Sequence, residues 1–165
     1  MSESLLPDDI VALARRVIEE NRAAGRTVAV AESCTGGLVA AALTEIAGSS
    51  AVLDRGYVTY SNQAKASELG VSEDLIDGFG AVSIACVYAM AQGALERSGA
   101  DVAVAISGIA GPDGGDEQKP VGTVMFARAR RGEEAPEAES KLFEGQDRGG
   151  VRRQATLTAL ELLLP

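Results

Sequence analysis

The chain has 165 residues, 46% of them hydrophobic and 24% charged, enough apolar material for a core and too much for disorder over most of its length. Lys and Arg number 15 against 24 Asp and Glu, a net charge of −9, which argues against a nucleic-acid partner because such binders carry a basic face. There is no histidine; this excludes a Ser-His-Asp triad, a Cys-His dyad and a histidine-ligated metal, and leaves Lys, Asp, Glu or Tyr as the base of any hydrolase.

The first nine residues hold Glu3, Asp8 and Asp9 and no basic stretch, so they do not read as a secretory signal. Asp8 and Asp9 are expected to cap a first helix, in which Ile10, Leu13, Ala14, Val17 and Ile18 recur at the helical period until Gly25. Residues 27–31 (TVAVA) predict a buried strand, 35–46 a helix, and 53–60 a second strand. Short helices are expected over 63–69 and 73–79. Ser83 is placed to cap a longer helix that Gly99 stops.

Residues 102–106 (VAVAI) read as a further buried strand, and 107–120 as a glycine-rich loop. A strand over 121–129 is expected to pair antiparallel with one over 139–143, across a charged, solvated hairpin loop. Asp147 starts a final helix with Val151, Ala155, Ala159 and Leu162 facing inward. Strands apolar on both sides, alternating with helices, predict an α/β fold: a single three-layer α/β/α domain over residues 1–165 with a mixed sheet. No apolar run approaches the ~20 residues that span a bilayer, so no membrane partner is expected.

Four segments carry chemistry. Ser33, Thr35, Gly36 and Gly37 follow the first buried strand and open a helix, where free N–H groups can hold an anion or a developing oxyanion. Ser33 is there either a reactive hydroxyl or, with Thr35, only a helix cap. Asn62 as a cap puts Lys65 at the third helical position, where the dipole and partial burial both disfavour the ammonium form. The plain alternative is a solvated lysine.

Ser107, Gly108 and Gly111 begin a loop with no Gly-Lys-Ser/Thr, hence not a P-loop. It follows a buried strand and is expected at the same sheet edge as Ser33. Arg148, Arg152 and Arg153 lie near the start of the last helix, as phosphate ligands or as partners of surface acids. Cys34 and Cys86 form no CxxC pair, which fits a reducing cytoplasm. Cys34 should turn away from Ser33 into packing and not act as a nucleophile.

In order, AESCTGG, GYVTYSNQAK, GAVS, ISGIAGPDGG, KPVGTV and DRGGVRRQA resemble the C-terminal domain of the CinA family (competence/damage-inducible protein A), in particular its stand-alone nicotinamide mononucleotide deamidases. The likeness covers about residues 8–164. It implies an amidohydrolase that works without metal or other cofactor, cleaving the carboxamide of nicotinamide mononucleotide to nicotinate mononucleotide and ammonia and recycling the pyridine ring.

By motif the serine nucleophile falls on Ser33 and the lysine base on Lys65. On that resemblance Tyr60 orients Lys65 or stacks on the pyridinium ring. The oxyanion is held from the Thr35-Gly36-Gly37 turn or the Gly108–Gly111 loop, and Arg152 takes the phosphate. The pattern departs at Ile84, where many members have an acid. The domain that hydrolyses nucleotides in fused members is not expected. The other readings are a regulatory nucleotide-binding module and an amidase for another small amide. A homodimer is expected because residues 160–164 (LELLL) are apolar on more than one face.

Overall fold

A computed structural model describes residues 3–165; Met1 and Ser2, the head of the acidic N-terminal segment, lie outside the described residues. The elements follow in the order α1 (Asp8–Ala24), β1 (Val28–Glu32), α2 (Leu38–Thr44), β2 (Leu53–Val58), α3 (Asn62–Leu69), α4 (Glu73–Phe79), α5 (Ile84–Arg97), β3 (Val102–Gly108), β4 (Thr123–Arg130), β5 (Glu137–Leu142) and α6 (Arg148–Leu162). The sheet runs β2-β1-β3-β4-β5. β1 is parallel to both β2 and β3, whereas β4 and β5 are added antiparallel. The fold is α/β with a mixed five-stranded sheet.

The Val-Ala alternation of β1 and β3 sets the depth of the two helical layers. Val28, Val30, Val102 and Val104 face one cluster with α1, α2 and α6. Ala29, Ala31, Ala103 and Ala105 face the other, with α3, α4 and α5. Small side chains under α5 let that helix sit close to the sheet. The second layer also begins its helices alike: Ser61, Ser72 and Ser83 accept hydrogen bonds from the N–H groups of Ala64, Leu75 and Cys86, each cap contributing about 1 kcal/mol.

Several expected boundaries move, each for a local reason. Asp8 and Asp9 lie inside the first turn of α1, behind Pro7, where they complement the dipole and Asp9 accepts from Ile10 N–H at 2.9 Å, although Pro7 holds the cap position. α2 starts at Leu38, not Thr35, because Gly36 and Gly37 are left-handed (φ 58° and 103°) and cannot continue a right-handed helix. Ser61, not Asn62, caps α3, so Lys65 is its fourth residue, one step deeper than the spacing suggested. α5 stops at Arg97 with Ser98 extended, and no left-handed glycine is used there. β3 runs on through Ser107 and Gly108 because β4 pairs with both. β4 and β5 are shifted from their expected spans to Thr123–Arg130 and Glu137–Leu142, where their backbones pair.

The closing leucines serve the chain itself. Leu160 and Leu163 are fully buried, and Leu162 and Leu164 pack partly buried on the same cluster. The apolar run that suggested self-association is therefore spent within the fold. Among the described residues no helix is long and apolar enough to cross a membrane.

One packing contact couples the second layer to the site. A Cβ on Gly93 of α5 would overlap the backbone carbonyl of Leu69, the last residue of α3. Gly93→Ala is expected to destabilise the protein by about 1–3 kcal/mol despite the better helix propensity of alanine. Thermal unfolding checks it; a variant at or above wild-type stability would show that α3 can move freely away from α5.

Candidate active site

β1 lies between β2 and β3, and the chain leaves it first toward β2 and later toward β3. That reversal opens a crevice at the carboxyl ends of three parallel strands. The segments after those strands carry Ser33, Tyr60 with Lys65, and the loop from Ile109. Neighbouring strands are ~4.8 Å apart, so residues far apart in sequence converge there. The crevice holds a cavity of about 290 Å³ lined in part by Ser33, Cys34, Tyr60, Lys65, Ser107, Gly108, Gly111, Asp113 and Arg148.

Lys65 is 1% exposed. Its Nζ lies 3.1 Å from Ser33 Oγ, 2.8 Å from the carbonyl oxygen of Thr59 and 3.2 Å from that of Tyr60. The two carbonyls only accept, whereas the hydroxyl can accept or donate. A neutral amine, with two N–H bonds and one lone pair, satisfies all three at once: it donates to the carbonyls and accepts from Ser33 O–H. Burial pulls the Lys65 pKa below its ordinary value, opposed by the neighbouring Cys86 and Cys34 sulfurs. Position deeper in α3 makes desolvation, more than the helix end, the cause.

Tyr60 meets Lys65 through its backbone carbonyl, and the residue also lines the cavity. Its ring is exposed, and its hydroxyl accepts from an Arg148 Nη at 3.2 Å. The other Arg148 Nη donates to the Gly111 carbonyl at 2.6 Å. Arg148 therefore bridges two sides of the cavity mouth.

Arg152 does not line the cavity. It donates to the carbonyls of Cys34 and Thr35 at 3.1 and 3.3 Å, bracing the turn from behind. Arg153 is paired with Asp9 on the surface. Ser107 Oγ donates to the Ala81 carbonyl at 2.8 Å and tethers the loop before α5. Ile84 is 42% exposed and off the cavity wall, while Ser83 does the capping.

The α2 turn is only partly open as the anion site its glycines suggested: the N–H groups of Thr35 and Gly37 have no acceptor among the described residues, but its other donors are taken. Gly36 N–H donates to the Ser33 carbonyl. The N–H groups of Val39 and Ala40 donate to the carboxylate of Glu32 at 2.9 and 3.1 Å, and Thr35 Oγ1 donates to it at 2.6 Å. Glu32 is fully buried, and its signal in the sequence is a charged residue closing an otherwise apolar strand. The N–H groups of Ala110 and Gly111, across the cavity, have no acceptor among the described residues.

Cys34 is buried in the apolar cluster of α1, α2 and α6. Burial pushes its thiol up to about 11, leaving almost no thiolate near neutrality. Cys34 and Cys86 are both free.

A family model described as the CinA C-terminal domain matches residues 10–165. The chain is 55% identical over 156 residues to the nicotinamide-nucleotide amidohydrolase PncC of Escherichia coli (strain K12), covering 94% of this chain and 93% of that protein. It is 50% identical over 157 residues to the protein of the same name from Pseudomonas putida, covering 95% and 96%. The crystal structure of the competence/damage inducible protein CihA from Agrobacterium tumefaciens aligns with a TM-score of 0.94 at 50% identity, covering 98% of this chain and 97% of that one.

Proposed function

The chain belongs to the CinA C-terminal domain family, and from that premise we propose that it is an amidohydrolase that converts nicotinamide mononucleotide to nicotinate mononucleotide and ammonia. The amidohydrolase names of its relatives support the reaction class. The observation that carries the chemistry is a buried lysine amine in hydrogen-bond contact with a serine hydroxyl at the mouth of a cavity.

Neutral Lys65 takes the proton of Ser33 as its oxygen attacks the carboxamide carbon. The resulting oxyanion is held by the N–H groups of Ala110 and Gly111, which line the cavity without an acceptor; in the α2 turn the donors at Gly36, Val39 and Ala40 are committed, and those of Thr35 and Gly37 stand outside the cavity lining. The Lys65 ammonium then returns the proton to the departing nitrogen, and ammonia leaves. Water attacks the acyl-serine, gives its proton to Lys65, and releases the acid and the free Ser33 hydroxyl.

Arg148 replaces Arg152 as the phosphate contact of this proposal, because it stands at the cavity and can offer a fork of donors. Ile84, outside the cavity, has no part in these steps. The free cysteines suit a reducing cytoplasm, and the product would re-enter pyridine nucleotide synthesis. Residues 8–164 would act as one domain, and two copies would pair through a surface other than the buried closing leucines.

Ammonia release from nicotinamide mononucleotide, nicotinamide riboside, nicotinamide and glutamine tests the reading. Turnover is expected with the mononucleotide and at least about tenfold less with the riboside, which lacks the charge-assisted bonds to Arg148. Release from another amide alone would make the protein a different amidase. Release from none would leave a binding module.

A further inference from the structure

We propose that Glu32 is a positioning residue that holds the Ser33 oxygen in its reactive place by capping α2 from within the sheet. α2 is entered through Gly37, whose φ of 103° brings no side chain to cap the helix. The donors that a local Ser or Asp would normally satisfy are taken instead by Glu32, five residues before that glycine. Both its carboxylate oxygens are used: one accepts from Thr35 Oγ1 and Val39 N, the other from Ala40 N.

No cation lies within ion-pair distance of it among the described residues. A fully buried charge without a counter-ion is costly, and here the N-terminal N–H groups of α2 and one hydroxyl balance it. An acid so placed constrains the segment it spans. The four residues between Glu32 and Gly37 close a loop whose ends are fixed by the strand and by the helix.

The backbone of Glu32 ties the same loop to the lysine. Its carbonyl accepts from Thr59 N–H at 2.9 Å, and the Thr59 carbonyl accepts from Lys65 Nζ. On the other side Ser33 N–H donates to the Ile106 carbonyl at 3.0 Å. Side chain and main chain of one residue thus set both partners of the 3.1 Å contact between Lys65 and Ser33. Arg152 completes the frame from the opposite face, giving N–H groups to the carbonyls of the same turn.

Glu32→Gln separates this role from bulk. The amide keeps the shape and one acceptor oxygen, but its NH₂ would face Ala40 N–H, donor against donor. Thr35→Val removes a single link and leaves the carboxylate, so it reads the same connection if the glutamine variant fails to fold.

The kinetic arm rests on the amidohydrolase reading; the labelling arm does not. In the latter a fluorophosphonate probe forms a P–O bond to Ser33 Oγ and releases fluoride, which intact mass measures over time. Glu32→Gln is expected to lower kcat and the labelling rate together by about 10- to 100-fold, as a small misplacement of a nucleophile does. KM should change less than about threefold, since the cavity wall is untouched. Thr35→Val should lower both rates in the same direction and by less.

Unchanged labelling in both variants overturns the proposal, and so does a loss that disappears at a temperature where variant and wild type are equally folded. Wild type that is labelled at Ser33 yet releases no ammonia defeats the substrate reading alone. Wild type that is not labelled at all defeats both.

Discussion

Lys65→Arg should lower ammonia release by about 10²–10⁴-fold, the span of a lost general base. Guanidinium keeps its proton throughout the working range, so it cannot accept the one that Ser33 must lose. In the wild type the neutral fraction of Lys65 grows as pH rises through a pKa that burial has lowered. The rate should therefore climb with pH, about tenfold per unit on the acid side of that pKa, and level off below the ordinary lysine value of ~10.4. The Thr59 and Tyr60 carbonyls would bond an ammonium more strongly than the neutral amine, and burial outweighs them in setting the direction of the shift. Rates of both proteins from acid to mildly alkaline pH, with thermal unfolding to confirm that the arginine variant is folded, provide the measurement. Near-normal turnover by the variant would move the proton acceptor elsewhere, with the Asp113 carboxylate on the cavity wall as the first candidate.

Ser33→Ala should be as damaging as loss of the lysine, and Cys34→Ala should not. The two side chains are adjacent in sequence but differ in surroundings. Ser33 Oγ faces Lys65 Nζ, whereas the Cys34 thiol is held up to about 11 inside an apolar cluster. Nucleophilic catalysis needs the activated oxygen or sulfur and not its buried neighbour. Cys34→Ala is expected to keep turnover within about threefold while losing about 1 kcal/mol of stability, the cost of a small buried group. Ammonia release and thermal unfolding of both variants check this. Retained activity in Ser33→Ala with loss in Cys34→Ala would reverse the assignment.

The position of the candidate site was legible because the strands were. TVAVA and VAVAI are apolar without interruption, a pattern needed only where both faces of a strand are covered. Their ends had to carry whatever the crevice uses, which placed Ser33, Lys65 and the Ser107–Gly111 loop at one sheet edge. The empty histidine column reduced the choice of base. Arg152 and Arg148 were less distinct: four residues apart in a helix of mixed exposure, they differ by about 40° around the axis at 3.6 residues per turn. Which one meets the cavity depends on how α6 is rolled against α1 and the sheet.

Sequence alone determined what local chemistry can determine: alternation of helix and strand, the serine and aspartate caps at Ser83 and Asp147, the left-handed stop at Gly25, and the absence of any imidazole to accept a proton. These follow from side-chain size, hydrogen-bonding capacity and permitted backbone angles within a few residues. Only the tertiary structure decided that Glu32 caps α2 across five residues, that Lys65 faces two carbonyls and one hydroxyl, and that LELLL is consumed by the chain's own core. Each of those outcomes depends on which elements are packed together and on the water they exclude. Burial, and with it the lowered proton affinity of one lysine among many solvated charges, exists only once the sheet and both helical layers are closed.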